Sequence, residues 1–380
     1  MKKIFLFLSL IIAVVNLEGQ TFAHFINRLN ALPEDQRQAV ADSFMNSGHP
    51  LPFIENDTLV HFVYNSAARS AAIEGDATGY TNKTMTHITG CNFWYITETY
   101  EADARLDYKF VINSSDFILD PKNPNICTGG YGPNSELRMP SYISPPEASV
   151  YSIIPHGTLK DTTCFSSFLG NSRHVRIYLP PGYPSGSSEY PVILFHDGLE
   201  FITMCNADNI LDYLISKQLM VPVIAVFVPP VDREPEFIGK KMDKYTDFIT
   251  LELMPAIDAK YKTSKNPSKR AMAGISNGGN ISLYIGTKHP ELFGNVAALS
   301  SSIINAISHT LSKGPKLNLA FYIDIGKYDI PDMIPVVYKL RDILKEKGYL
   351  YQFKEWHEGH SWGNWKDHLR LPLIQFFPGQ

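Results

Sequence analysis

Arg270-Ala271-Met272-Ala273-Gly274-Ile275-Ser276-Asn277-Gly278-Gly279 decides the reading of this chain. Its centre fits G-x-S-x-G, the pattern in which a serine sits on a sharp turn between a buried strand and a helix. The flanks agree. Arg270 to Ala273 predicts a short apolar strand, and Asn277 to Thr287 carries Ile281, Leu283, Tyr284 and Ile285, enough apolar residues for a helix packed on a sheet. His289-Pro290 then stops that helix. A turn this tight crowds the backbone two residues either side of the serine, so Gly274 and Gly278 are where a Cβ would clash.

A serine hydroxyl is a weak nucleophile near neutral pH and needs a base to take its proton, with a carboxylate to orient that base. In a sheet with this elbow the chain order is serine, acid, histidine, which confines the search to residues after Ser276. His289 belongs to the helix stop and His309 to an irregular stretch. His360 follows a candidate final strand in Glu358-Gly359-His360-Ser361-Trp362, where a loop can carry its ring over the sheet edge. His357 is nearer the strand and is expected to pack, and His368 to lie on the last helix. His357-Glu358-Gly359-His360 does not have the H-E-x-x-H spacing of a zinc protease. Two acids compete near the end of the Phe321 to Ile325 strand. Asp324 lies inside it, whereas Asp329 follows Gly326-Lys327-Tyr328 in a loop, the commoner place for a catalytic residue; Asp332 is more distant. The oxyanion needs two backbone donors: Asn277 after the serine and, from the loop His196-Asp197-Gly198-Leu199-Glu200, the Leu199 N–H, with Gly198 next. Gly198 is expected to supply an unusual backbone there, and His196 and Asp197 to stiffen the loop by hydrogen bonding.

Outward from this centre, residues 150–380 alternate strand and helix. Strands are expected at Thr163 to Ser167, Val175 to Leu179, Val192 to Phe195, Val221 to Val228, Arg270 to Ala273, Val296 to Leu299, Phe321 to Ile325 and Tyr351 to Trp356. Continuously apolar strands separated by helices imply a mostly parallel sheet covered on both faces, an α/β fold of the α/β-hydrolase kind. Residues 21–57 read as short amphipathic helices around Pro33, and 58–128 as a small antiparallel β-sandwich of short strands separated by turns. Trp94 and Tyr95 are neighbours on one strand, so one enters the core and the other does not. The segment 129–149, glycine-rich and bounded by Ser144-Pro145-Pro146, is read as the linker, although Tyr131, Leu137, Met139, Tyr142 and Ile143 suggest that the sandwich docks and forms one wall of a cleft.

The formal charge of −4 on 380 residues, with no long basic run, argues against nucleic acid as a partner. Met1-Lys2-Lys3 followed by Ile4 to Val15 has the charged and apolar regions of a secretory signal, 1–20 being removed, and about a dozen apolar residues fall short of the ~20 that span a bilayer. A secreted or periplasmic location follows as the expectation. There Cys91, Cys127, Cys164 and Cys205 could form disulfides, with three pairings open.

Several stretches carry a resemblance. Leu194-Phe195-His196-Asp197-Gly198, Leu251-Glu252-Leu253-Met254-Pro255, the segment Arg270 to Gly279, Gly326-Lys327-Tyr328-Asp329 and Gly359-His360-Ser361-Trp362 resemble the esterase family that contains enterochelin esterases, esterase D and many feruloyl esterases. The matching positions imply Ser276 as nucleophile, Asp329 as acid and His360 as base. Arg233 and Glu236 resemble a further Arg/Glu pair of that family, which shapes the pocket or forms an ion pair, and with Trp362 they are the candidate substrate contacts. Asn277 replaces the bulky apolar residue often found after the serine. Gly75-Asp76-Ala77-Thr78-Gly79-Tyr80, Phe93-Trp94-Tyr95, Asp107 to Val111 and Asp120 to Pro124 resemble the immunoglobulin-like modules that precede enterochelin esterases and glycogen-branching enzymes. The resemblance implies a serine carboxylic ester hydrolase with no metal or organic cofactor, acting through an acyl-enzyme. A feruloyl-like ester of a polysaccharide fits an exported enzyme better than a cytosolic siderophore ester. Acyl transfer to a sugar acceptor and a noncatalytic glycan-binding protein are the other readings.

Overall fold

The computed structural model describes residues 21–184 and 189–379. The segment expected to be a secretory signal lies outside the described residues.

The C-terminal part is built on eight strands: β1 (Thr158–Ser166), β2 (Asn171–Leu179), β3 (Val192–His196), β4 (Ile224–Val228), β5 (Arg270–Ile275), β6 (Asn295–Leu299), β7 (Ala320–Tyr328) and β8 (Leu350–Gly359). Their order is β1-β2-β4-β3-β5-β6-β7-β8; β2 runs antiparallel to both its neighbours, β1 and β4, and every other pair is parallel. This is the α/β-hydrolase fold. The central strands are buried on both faces, and their side chains divide between two apolar cores, one with Val192, Leu194, Val226 and Met272, the other with Ile193, Phe195, Phe227 and Ala273. That alternation is why β3 to β6 read as unbroken apolar runs. β1 and β2 begin several residues earlier than the apolar pattern alone marks, because their outer halves form an antiparallel hairpin with one face open to water.

The sandwich packs two sheets face to face. One pairs Phe53–Glu55, Leu59–Asn65, Phe93–Thr99 and Thr86–His87; the other is organised on Arg105–Ile112. Phe62, Ile73, Trp94, Leu106, Phe110 and Leu137 fill the space between them. Two helices, Phe22–Ala31 and Glu34–Met45, cover the outer face of the first sheet. Phe22, Phe25, Ile26 and Leu29 recur at helical spacing and are buried, with Phe25 stacked on Phe44 at 4.3 Å. Trp94 enters the sandwich core, while Tyr95 turns to this helical cover and meets Phe22 edge-on.

The linker reading needs correction. Ile126–Gly129 and Gly132–Arg138 form a hairpin that pairs with Arg105–Ile112, so the glycines from 129 to 132 make a turn between strands. The rest of the segment is bound to the hydrolase domain. The Tyr142 hydroxyl donates to Asp367, and Asn209 donates to the Ser149 carbonyl at 2.7 Å. At the domain edge Arg105 pairs with Glu358 of β8, which joins the two sheets into one continuous surface.

Candidate active site

Ser276 occupies the turn between β5 and the helix Asn277–Lys288 with φ +52° and ψ −122°, a combination that L-residues avoid. Holding it costs about 1–3 kcal/mol, which the surrounding backbone must offset. The Ser276 amide donates to the Leu299 carbonyl at 3.0 Å, and its carbonyl accepts from Gly279 and Asn280. A Cβ on Gly274 would lie 2.1 Å from the Gly278 carbonyl oxygen, which is the crowding the sequence implies. Asn277 opens the helix, where a backbone N–H has no intrahelical acceptor. Its side chain accepts from the Ser302 hydroxyl at 2.7 Å.

His360 and Asp329 arrive from loops after β8 and β7. The His360 Nδ1 lies 2.8 Å from Asp329 Oδ1, which also accepts from the Ile330 amide at 2.7 Å. The carboxylate is buried, and the ring meets Trp365 edge-on at 4.9 Å. Ser276, Asn277 and His360 line one cleft of about 830 Å³. The other candidates lie elsewhere. Asp324 accepts from the Ser300 amide at 3.0 Å, and burial pushes its carboxyl up to about 6. His357 pairs with Asp103 at the surface, and His368 with Glu358 at 2.6 Å.

The loop after β3 differs from its expected geometry in one respect. Asp197, not Gly198, takes the left-handed backbone, with φ +57°. Gly198 is required because a Cβ there would sit 2.2 Å from the Val228 amide nitrogen. Gly198 and Leu199 start the short helix Gly198–Thr203; they are not among the residues lining the cleft, but Asp197 before them and Glu200 after them are. His196 and Asp197 do stiffen the loop. The His196 Nδ1 is 3.0 Å from the Tyr245 hydroxyl, and burial drives the imidazole down to about 3, so it is neutral.

Arg233 and Glu236 do not pair. Arg233 grips Asp197 with two hydrogen bonds of 2.7 Å and lines the cleft. Glu236 is fully buried and receives Arg173 of β2 at 2.9 and 3.0 Å, so it cannot touch substrate and is corrected to a structural ion pair. The reason is geometric, since Glu236 faces Arg173 on β2 while Arg233 faces Asp197 in the loop after β3. Trp362 lines the cleft, packed edge-on against Phe201 and Trp365.

The opposite wall of the cleft belongs to the sandwich, through Tyr80, Lys109, Phe117, Tyr131 and Asn134. Phe117 and Tyr131 are exposed there. Asp76, Tyr80 and Arg105 also reach the His360 loop, contacts that no local pattern in the sequence announces. Burial would strip the charge from Arg105, but Asp107, Glu136 and Glu358 hold it protonated. All four cysteines are free thiols.

The family model for Esterase ("Putative esterase") matches residues 166–376, more than half of the chain. The chain belongs to this esterase family. YjcH of Bacillus subtilis is 27% identical over 236 residues, covering 58% of this chain and 95% of that protein. An endo-1,4-beta-xylanase/feruloyl esterase of Xylanibacter ruminicola is 29% identical over 208 residues, 52% of this chain and only 28% of that protein. Among solved structures, the enterobactin esterase FES of Shigella flexneri superposes with a TM-score of 0.75 at 22% identity, covering 88% of this chain and 97% of that one. A match of that extent takes in the sandwich as well as the hydrolase domain. Family and fold make the chain a carboxylic ester hydrolase. Among the described residues no helix is long and apolar enough to cross a membrane.

Proposed function

We propose that this esterase is an exported serine hydrolase that cleaves aromatic acyl esters of polysaccharide, of the feruloyl kind, through Ser276, His360 and Asp329. The observation that carries the reading is the strained Ser276 turn sharing a cleft with a histidine bonded to a buried carboxylate. In this reading the Ser276 Oγ attacks the acyl carbon while the His360 Nε2 takes its proton. Asp329 holds Nδ1–H and stabilises the imidazolium as it forms. The Asn277 N–H and the Leu199 N–H, with Gly198 as the other candidate, receive the developing oxyanion. His360 then gives its proton to the departing alcohol, and a water repeats the sequence to release the acid.

The cleft's charge bears on the substrate. Among the described residues, its lining has Glu74, Glu200 and Glu234 against Lys109 as the unpaired cation, while Asp197 is paired with Arg233 and Asp107 with Arg105, and burial raises the Asp76 carboxyl well above its usual range. Such a wall repels a polyanion such as a ferric catecholate and accepts a neutral sugar ester. Arg233, Trp362 and the exposed rings of Phe117 and Tyr131 are the surfaces proposed to contact it. A siderophore ester is the second reading, favoured by the extent of the match to the enterobactin esterase. A panel of hydroxycinnamoyl, p-nitrophenyl and catecholate esters tests both. The feruloyl oligosaccharide is expected to give the highest kcat/KM, and preference for the iron-loaded catecholate would reverse the assignment.

A further inference from the structure

His360 sits on a short loop between two glycines, Gly359 and Gly363, and the sandwich touches that loop at both ends. At one end a Cβ on Gly359 would lie 2.0 Å from Asp76 Cγ; at the other a Cβ on Gly363 would lie 1.9 Å from Arg105 Nη2. Only glycine lets the two sandwich side chains approach so closely. Between them, Arg105 Nη1 donates to Ser361 Oγ at 3.1 Å, and the Tyr80 hydroxyl, which donates to Asp76 at 2.6 Å, lies 3.3 Å from the His360 carbonyl oxygen. Ser361 Oγ in turn caps the helix Trp362–His368 by accepting from the Asn364 amide at 3.4 Å.

On the sandwich side these groups are fixed. Arg105 donates to Glu136 at 2.5 Å and Asp107 at 2.9 Å, and the Asp107 amide donates to Asp76 at 2.8 Å. Arg105, Asp76, Asp107 and Glu136 are all nearly inaccessible to water. A buried ionic cluster is weak evidence for stability, since an apolar core of equal volume does as well. What it provides is a rigid reference point. Resting on the triad reading above, we propose that Arg105 and Asp76 are positioning residues for His360: the sandwich sets the place of the general base. Displacing a reacting group by about 1 Å costs roughly 10²-fold in rate.

The test uses the full chain and p-nitrophenyl acetate, a substrate too small to need the sandwich wall. Arg105→Lys keeps a charge for Asp107 and Glu136 but loses the planar fork that also reaches Ser361. Ser361→Ala removes the acceptor and leaves the sandwich cluster whole. Each is expected to lower kcat about 10- to 100-fold with KM changed less than about two-fold. The double variant is expected to be no worse than the poorer single one, because both remove one contact. Ser361→Thr, which keeps the hydroxyl, restores kcat. Wild-type kcat in a folded Ser361→Ala, losses that multiply in the double variant, or no recovery with threonine would overturn the proposal. If Arg105→Lys does not fold, the Ser361 pair decides. Ser276→Ala in the same assay separates the two levels. An active Ser276→Ala breaks the triad reading itself, whereas an inactive one beside a fully active Ser361→Ala breaks only this inference.

Discussion

The proposed nucleophile and the proposed base are held in opposite ways. The Ser276 turn is supported from within: Gly274, Gly278 and Gly279 belong to the motif itself, and the nearest outside contacts come from β6 and the loop after β3. The His360 loop is supported from without, by Asp329 on one side and by sandwich residues some 250 positions earlier on the other. A turn that carries its own constraints can be recognised from a few residues. A loop that borrows them can be located from its own residues, as His360 was, but the distant side chains that hold it cannot.

The largest expected effect tests the self-contained half. Ser276→Ala should reduce kcat by about 10⁴-fold or more while leaving thermal unfolding unchanged, because it removes the attacking atom and nothing that packs. A fluorophosphonate should label the wild type at Ser276, and labelling at another serine would move the site. Next comes the acid. Asp329→Asn should lower kcat by about 10³- to 10⁴-fold, because an amide facing Nδ1 favours the wrong tautomer of His360 and brings no charge to stabilise the imidazolium, with Asp324→Asn as the comparison that keeps activity. The reverse ranking of these two variants would hand the role to Asp324.

How far each part was legible follows the same division. Strand and helix alternation and the elbow depend on contacts that local patterning specifies, and Asp329 was preferred to Asp324 because it lies in a loop after the strand and not inside it. The hairpin at 126–138 was hidden because glycines from 129 to 132 mark a turn and a domain break equally well. Glu236 was misplaced for a similar reason. Three residues after Arg233 on one helix it reads as that arginine's partner, yet its partner is Arg173, on a strand about 60 positions earlier. Asp76 and Arg105 gave no signal of a role at the site, since nothing in their spacing relates them to Gly359 or Gly363.

The Glu236 correction can itself be broken. Glu236→Ala leaves Arg173 buried without its carboxylate, which should cost about 3–5 kcal/mol in urea unfolding. The folded fraction should keep the wild-type KM. A raised KM with unchanged stability would return Glu236 to the substrate.

The smallest effect concerns Asp324, which lies on the strand that leads to Asp329 but has none of the chemistry proposed for it. Its neighbours are the Ser300 amide, the Tyr322 hydroxyl, the Trp356 indole and His368. Burial raises its carboxyl from 3.8 to about 6, against the smaller opposing pull of those neighbours. A carboxyl whose folded value is raised binds its proton more tightly in the native state than in the unfolded chain. Its stabilising contribution is therefore complete below about pH 4 and is lost as the pH rises through about 6. Above that the ionised wild type is less stable, by up to about 3 kcal/mol for a shift of this size. Asparagine cannot ionise and can still accept from the Ser300 amide through its carbonyl. Asp324→Asn should thus match the wild type in unfolding free energy at pH 4 and exceed it increasingly up to pH 8. A stability difference that does not change with pH would mean that Asp324 is not the group that titrates there. A loss of activity in the same variant would mean that this carboxylate, and not Asp329 alone, supports the base.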